Sequence, residues 1–384
     1  MLIGTFDDWK RAYHEGADPA LLLEQQRQAF KADDTAWISI ASADQLHAQL
    51  QTLKTLEAQH GRAQLPLFGI PFAVKDNIDV AGFATTAACP AFAYTAQVDA
   101  VAVQRLKNAG AIVLGKTNLD QFATGLVGTR SPYGVVPNTW DETLISGGSS
   151  SGSASVVARG LVPFALSTDT AGSGRVPAAF NQIVGLKPTP GAVPSTGLVP
   201  ACRTLDCIGV LALNVADSAT VLALMEGVDA GDSYSQPRPA LAKHTPLAQL
   251  RVGVPQTRRL SDAYEAAFHT FVARLQPQTQ AVQPMAFDTL QEIANLLYYG
   301  PWVAERVVGA RSIYEAQPEA LLPVIRQVLD VHQRFTAVDT FAAQYRLQAL
   351  QQQAEKIWET VDVLCVPSAP RHPSIAEVQA DPIE

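Results

Sequence analysis

Between residues 18 and 60 apolar side chains return every three or four positions, a spacing that predicts mostly helix. Ser42-Ala43-Asp44-Gln45 has the form of a capping box, and Leu46, Leu50, Leu53 and Leu56 then fall at helical spacing. From Pro66 the texture changes to short apolar runs alternating with helical stretches. Phe68 to Val74 reads as a strand, Asp99 to Ala109 as a helix stopped by Gly110, and Ala111 to Leu114 as the next strand. Ser150 to Arg159 reads as a helix closed by Gly160, with Leu161 to Leu166 a strand after it, and Asn214 to Glu226 as a further helix. The polar, proline-containing connector from Asp229 to Thr245 fits either a domain boundary or a surface excursion. Beyond it Leu250 to Val254 reads as a strand, about 261 to 360 as mostly helix, and Val361 to Val366 as a last apolar strand. Such alternation predicts an α/β fold, a sheet sandwiched by helices.

Composition narrows the function classes. The 384 residues are 47% hydrophobic and 17% charged, the balance of a globular enzyme long enough for one large domain or two. A formal charge of −8 argues against a general nucleic-acid binder, because phosphate contacts need clustered Lys and Arg. Cys89, Cys202, Cys207 and Cys365 are scattered without CxxC spacing, which predicts reduced thiols rather than a disulfide or zinc framework. The first residues show no export signal and no apolar run reaches membrane-spanning length, so the expectation is a cytoplasmic protein without a membrane partner. The chain stops at Ala380-Asp381-Pro382-Ile383-Glu384, a polar loop after a strand, and this predicts that a C-terminal part of the fold is missing.

The candidate chemistry sits in two serine- and glycine-rich runs. Gly147-Gly148-Ser149-Ser150-Ser151-Gly152-Ser153 is followed by Thr168-Asp169-Thr170-Ala171-Gly172-Ser173-Gly174-Arg175. Hydroxyls held beside exposed backbone N–H groups suit acyl transfer, which needs a nucleophile, a proton acceptor and donors for the oxyanion. No histidine lies between His60 and His244, so the acceptor is sought elsewhere. Lys75, in the apolar setting Ile70-Pro71-Phe72-Ala73-Val74-Lys75-Asp76-Asn77, is the candidate base. A lysine serves as a base near neutrality only if its pKa falls from about 10.4 to roughly 7–8, which burial in an apolar site can achieve. Asp76 and Asp79 must therefore face away from the amine. Rival readings are weaker: a nucleophile elbow centred on Ser150 lacks the strand it needs before it, and a phosphate loop lacks its Gly-Lys-Ser/Thr. A merely flexible Gly/Ser loop leaves the embedded lysine unexplained.

The stretch Gly147 to Gly191, with Phe72-Ala73-Val74-Lys75-Asp76 and Gly115-Lys116-Thr117-Asn118-Leu119-Asp120-Gln121-Phe122-Ala123, resembles the three ordered blocks of the amidase signature family of serine amidohydrolases. The likeness covers about Leu65 to Gly227. It implies a central twisted mixed β-sheet covered on both faces by helices, with residues 61–384 as catalytic domain behind an N-terminal helical segment 1–60. It implies a Ser-Ser-Lys triad with Lys75 as base, Ser149 as bridging serine and Ser173 as nucleophile, a cis peptide between Gly148 and Ser149, and an oxyanion hole from backbone N–H groups of Thr170, Ala171, Gly172 and Ser173. Asp169 and Arg175 are expected to brace that loop, and Lys116 and Lys187 to have structural or pairing roles. No metal or organic cofactor is implied, and a homodimer is.

Within the family, Ala171-Gly172-Ser173-Gly174-Arg175-Val176-Pro177 and Leu297-Tyr298-Tyr299-Gly300-Pro301-Trp302-Val303-Ala304-Glu305-Arg306 resemble the allophanate hydrolase branch. The resemblance implies a small anionic amide as substrate, held by Arg306 and Tyr298, with Gly125 lining the pocket through its backbone. A guanidinium matches a carboxylate in a bidentate fork. On periodicity alone Arg306 reads rather as the partner of a helix carboxylate and Tyr298 rather as a core aromatic. The alternatives that remain are a broad-specificity amidase, a catalytically silent scaffold and a transamidating subunit.

Overall fold

The computed structural model describes residues 4–237, 245–256 and 259–383. These fall into two units. Met1–Arg238, Gly309–Arg326 and Pro373–Glu384 form the first, and Pro239–Val308 with Gln327–His372 the second. The division falls inside the expected connector, whose residues 238–244 lie outside the described ones, as do the extreme ends of the chain, residues 1–3 and 384.

The first unit is built on a six-stranded sheet. Its strands are β1 (Trp37–Ile40), β2 (Pro71–Lys75), β5 (Ile112–Thr117), β6 (Phe164–Asp169), β7 (Val184–Leu186) and β8 (Cys207–Ala212), in the order β1-β5-β2-β6-β8-β7. A small hairpin, β3 (Ala84–Thr85) with β4 (Tyr94–Thr95), stands apart. The three central strands β5, β2 and β6 are parallel, whereas β1, β8 and β7 pair antiparallel, which makes the sheet mixed. Helices Ala43–His60, Ser151–Ala158 and Val215–Met225 pack against it. The central strands are buried throughout because neighbours cover both their faces, and their polar residues gather toward the carboxyl ends. Since β5, β2 and β6 run the same way, Thr117, Lys75 and Asp169 end at one edge of the sheet. That edge, outside the carboxyl ends of parallel strands, is where α/β folds build their sites.

The helical expectations hold at their caps. Ser42 accepts the N–H of Gln45 while Gln45 reaches back to Ser42, and Leu46, Leu50 and Leu53 are buried. Asn214 caps Val215–Met225 by accepting the N–H of Asp217. Several elements lie outside the expected pattern. Helix Phe6–His14 begins in a Thr5–Asp8 capping box and buries Phe6, Trp9 and Tyr13, a helical spacing legible in the sequence. Tyr13 donates its hydroxyl proton to the Gly69 carbonyl at 2.8 Å, and a Cβ on Gly69 would fall 2.7 Å from the Tyr13 hydroxyl oxygen. Strand β1 interrupts the run read as helical, and β8, an apolar run, completes the sheet. Helix Ile375–Ala380, capped by Ser374 and Glu377, precedes the closing polar residues and is not among the elements expected from the sequence.

The Ser/Gly run is not a loose loop. Ser151–Ala158 is a helix whose residues Ser151 to Val157 are all buried. Its small side chains allow close approach: a Cβ on Gly152 would sit 2.2 Å from the Ala36 carbonyl oxygen. The Ser153 hydroxyl ties it to the neighbouring strands, bonded to the Thr117 hydroxyl and to the Leu166 carbonyl.

The second unit has a parallel three-stranded sheet of β9 (Arg251–Pro255), flanked by β10 (Ala281–Met285) and β11 (Val363–Leu364). Phe268 of helix Asp262–Leu275 packs with Val252 and Val254. β10 falls within the stretch expected to be helical; its Gln283 and Pro284 blur the apolar run that marks a strand.

Candidate active site

Lys75 closes β2 and is fully buried. Its Nζ donates to Ser149 Oγ at 2.8 Å and to Thr168 Oγ1 at 2.7 Å. Burial pushes its pKa down to about 7, against the opposing pull of the carboxylates of Asp120, Asp169 and Asp206. Desolvation is the largest influence on the amine, and none of the three carboxylates is bonded to it. Asp120 accepts the backbone N–H groups of Val127, Gly128 and Arg130. Asp206 accepts those of Ala201 and Cys202 and the hydroxyl of Thr170. Asp76 and Asp79 do face away: Asp76 takes the N–H and hydroxyl of Thr86 and pairs with buried Lys116 at 3.4 Å, and Asp79 takes the hydroxyls of Thr85 and Tyr94.

Ser149 follows a cis peptide bond from Gly148. Its neighbour Ser150 donates its N–H to the Ser173 carbonyl at 3.1 Å and its hydroxyl to the Thr168 carbonyl, so the two serine-rich segments are tied together. That same hydroxyl is committed to Thr168, which leaves Ser150 poorly suited to be a nucleophile. Ser173 is buried, with its hydroxyl directed at the Gly125 carbonyl oxygen at 3.5 Å rather than at Ser149.

The loop after β6 is organised by Asp169. Its carboxylate accepts the N–H groups of Gly172, Gly174 and Arg175 and the Arg175 guanidinium, which together hold it below the usual carboxylate range despite burial. This narrows the expected oxyanion hole. The N–H of Gly172 is spent on Asp169 at 2.7 Å, whereas those of Thr170 and Ser173 have no acceptor among the described residues. Asp169→Ala should free the loop from its brace and lower stability by about 3 kcal/mol, with a parallel loss of turnover, read by chemical denaturation and steady-state rates. Unchanged stability would show that Asp169 does not organise the loop.

A family model described as Amidase matches residues 20–382. The chain belongs to the amidase family. A urea amidolyase of Saccharomyces cerevisiae is 45% identical over 367 residues, covering 94% of this chain and 20% of that protein. A solved Kluyveromyces lactis allophanate hydrolase superposes with a TM-score of 0.91 at 40% identity, covering 99% of this chain and 63% of the other. The A-type subunit of the glutamyl-tRNA(Gln) amidotransferase from Symbiobacterium thermophilum is 40% identical over 298 residues, 73% of this chain and 60% of that protein. The chain thus spans a fifth of the length of the urea amidolyase and under two thirds of the solved allophanate hydrolase.

In this amidase the two residues expected to hold an anionic substrate belong to the second unit. Tyr298 ends helix Asp288–Tyr298 and is half exposed, and Arg306 lies on helix Val303–Ala316, partly buried. Gly125 belongs to the first unit, where a Cβ would strike the Asp120 carboxylate at 2.6 Å. Lys116 and Lys187 are paired as expected, with Asp76 and with Cys207 Sγ at 3.2 Å. Sequence reasoning passed over Thr168, Asp120 and Asp206 as site residues. The first two lie inside the matched motifs; Asp206 carries no local signal, and only the pairing of β6 with β8 brings it to the Thr170 loop. Among the described residues no group of three or more His, Cys, Asp or Glu is placed to hold a metal ion, and no helix is long and apolar enough to cross a membrane.

Proposed function

We propose that this chain hydrolyses the terminal amide of allophanate, with release of ammonia. The observation that carries the reaction type is a buried amine, with a pKa near 7, bonded to a serine hydroxyl beside a second serine and without histidine between His60 and His244. Neutral Lys75 takes the proton of Ser149, which takes that of Ser173 once a χ1 rotation turns Ser173 Oγ from Gly125 toward Ser149. Ser173 Oγ then attacks the terminal carbonyl carbon, and the oxyanion is received by the N–H groups of Thr170 and Ser173. The relay runs back to protonate the departing nitrogen, ammonia leaves, and water hydrolyses the acyl-enzyme by the same path. The carboxylated product breaks down to carbon dioxide and further ammonia.

Allophanate as substrate is supported by the likeness to the urea amidolyase and the allophanate hydrolase. Arg306 and Tyr298 are the residues proposed to hold its carboxylate, and Gly125 to line the pocket. Arg306→Ala should lower kcat/KM for allophanate by roughly 10- to 150-fold, the worth of a hydrogen bond to a charged group. Neutral amides of similar size should be turned over as before. Ammonia release across such a panel, with Ser173→Ala as control, tests both; equal loss on charged and neutral amides would remove the specificity argument. The second reading, a transamidating role within a larger assembly, rests on the likeness to the tRNA amidotransferase. Hydrolysis by the isolated chain would count against it. A cytoplasmic homodimer completes the proposal; the four cysteines, all present as thiols, agree with the compartment, and sedimentation of the purified chain checks the dimer.

A further inference from the structure

We infer that Thr168 is a positioning residue that aims the lone pair of the Lys75 amine at Ser149; the inference rests on the base role proposed above for Lys75. A neutral primary amine has two N–H hydrogens and one lone pair. Only the lone pair can receive the serine proton, so its direction decides whether the relay runs. Two hydroxyl oxygens contact Nζ at nearly equal distance, Ser149 Oγ at 2.8 Å and Thr168 Oγ1 at 2.7 Å. If Thr168 donated to the amine it would compete with Ser149 for that lone pair. If it accepts, it engages one N–H and leaves the lone pair to Ser149.

The surroundings make Thr168 an acceptor. The Asn77 amide nitrogen also approaches Thr168 Oγ1, at 3.5 Å, and is itself oriented by donating to the Val199 carbonyl at 3.2 Å. Two donors therefore converge on one oxygen. The Thr168 main chain is held separately, its N–H donating to Ser150 Oγ at 3.3 Å and its carbonyl accepting the Ser150 hydroxyl at 3.1 Å. Changing the side chain leaves those bonds in place. The charged groups that face Lys75 are Asp120 after β5, Asp169 at the end of β6 and Asp206 before β8. Each is tied to backbone N–H groups, and none is bonded to Nζ. They act on the charge of the amine, whereas Thr168 acts on its direction.

Thr168→Val keeps the shape and removes the acceptor. It should lower kcat by roughly 10- to 100-fold, as misdirection of a catalytic group does, with KM held within about twofold. The acid limb of the kcat/KM profile should move to lower pH, because the ammonium loses a hydrogen bond that favours its charged form. Thr168→Ser should restore kcat to within about threefold. A valine variant with wild-type kcat and an unmoved acid limb would overturn the inference. So would a serine variant as impaired as the valine one. Should Thr168→Val not fold, Thr168→Ala carries the same readouts. Lys75→Met, measured alongside, separates the two levels: an active Lys75→Met enzyme sinks the base role itself, whereas an inactive one beside an unimpaired Thr168→Val sinks only the role of Thr168.

Discussion

Ser173→Ala is expected to lower kcat for ammonia release by roughly 10,000- to 1,000,000-fold, the scale seen when a nucleophile that acts as one unit with its base is removed. Stability should hardly change. The Ser173 hydroxyl makes one long contact, 3.5 Å to the Gly125 carbonyl, while the bonds that hold the segment belong to its main chain and to Asp169. Burst kinetics with a slow-turnover amide supply the complementary measurement: a stoichiometric first turnover in the parent and none in the variant. Retained turnover in Ser173→Ala at unchanged fold would assign the nucleophile elsewhere.

Lys75→Met should cost roughly 10,000-fold in kcat if the amine is the base, since acid–base catalysis of this kind contributes up to that much. Two pH dependences accompany it. In the parent enzyme kcat/KM should rise with pH and level off above the Lys75 pKa of about 7, because only the neutral amine accepts a proton. Stability carries the same signature. The folded-state pKa lies below the unfolded value of 10.5, so the unfolded chain binds more protons between about 7 and 10.5. The Lys75 contribution to stability is therefore present in full above 10.5 and is lost as pH falls to about 7. Removing the amine should flatten the stability profile across that window relative to the parent. Parallel profiles for the two proteins would mean that position 75 is not the desolvated amine on which the proposed relay depends.

Much of this was legible before folding was considered. Caps, glycine stops and apolar runs marked the helices at 43–60 and 215–225 and the strands β2, β5, β6 and β9, usually within a few residues. Lys75 stood out as a lysine among apolar residues and the two serine runs as small-residue stretches that leave room for backbone donors, whereas the choice of Ser149 and Ser173 within them came from the family resemblance. The misses share a cause. β10 contains a proline and a glutamine, and β1 interrupts a stretch of helical spacing, so neither carries the local period that identifies an element. Pairing with a neighbouring strand made them strands, and pairing is not a property of a short window of sequence.

The chain's sequence by itself determined the chemical kit: a lysine without a histidine companion, serines flanked by glycine, and a family pattern for how they combine. Only the tertiary structure decided that burial outweighs three nearby carboxylates at Lys75, that Asp169 consumes the Gly172 N–H, and that Asp206 arrives at the Thr170 loop from a strand far along the chain. Residue types and spacing are local, whereas solvent exclusion and the competition of several charges for one amine depend on which strand ends the sheet gathers at one edge.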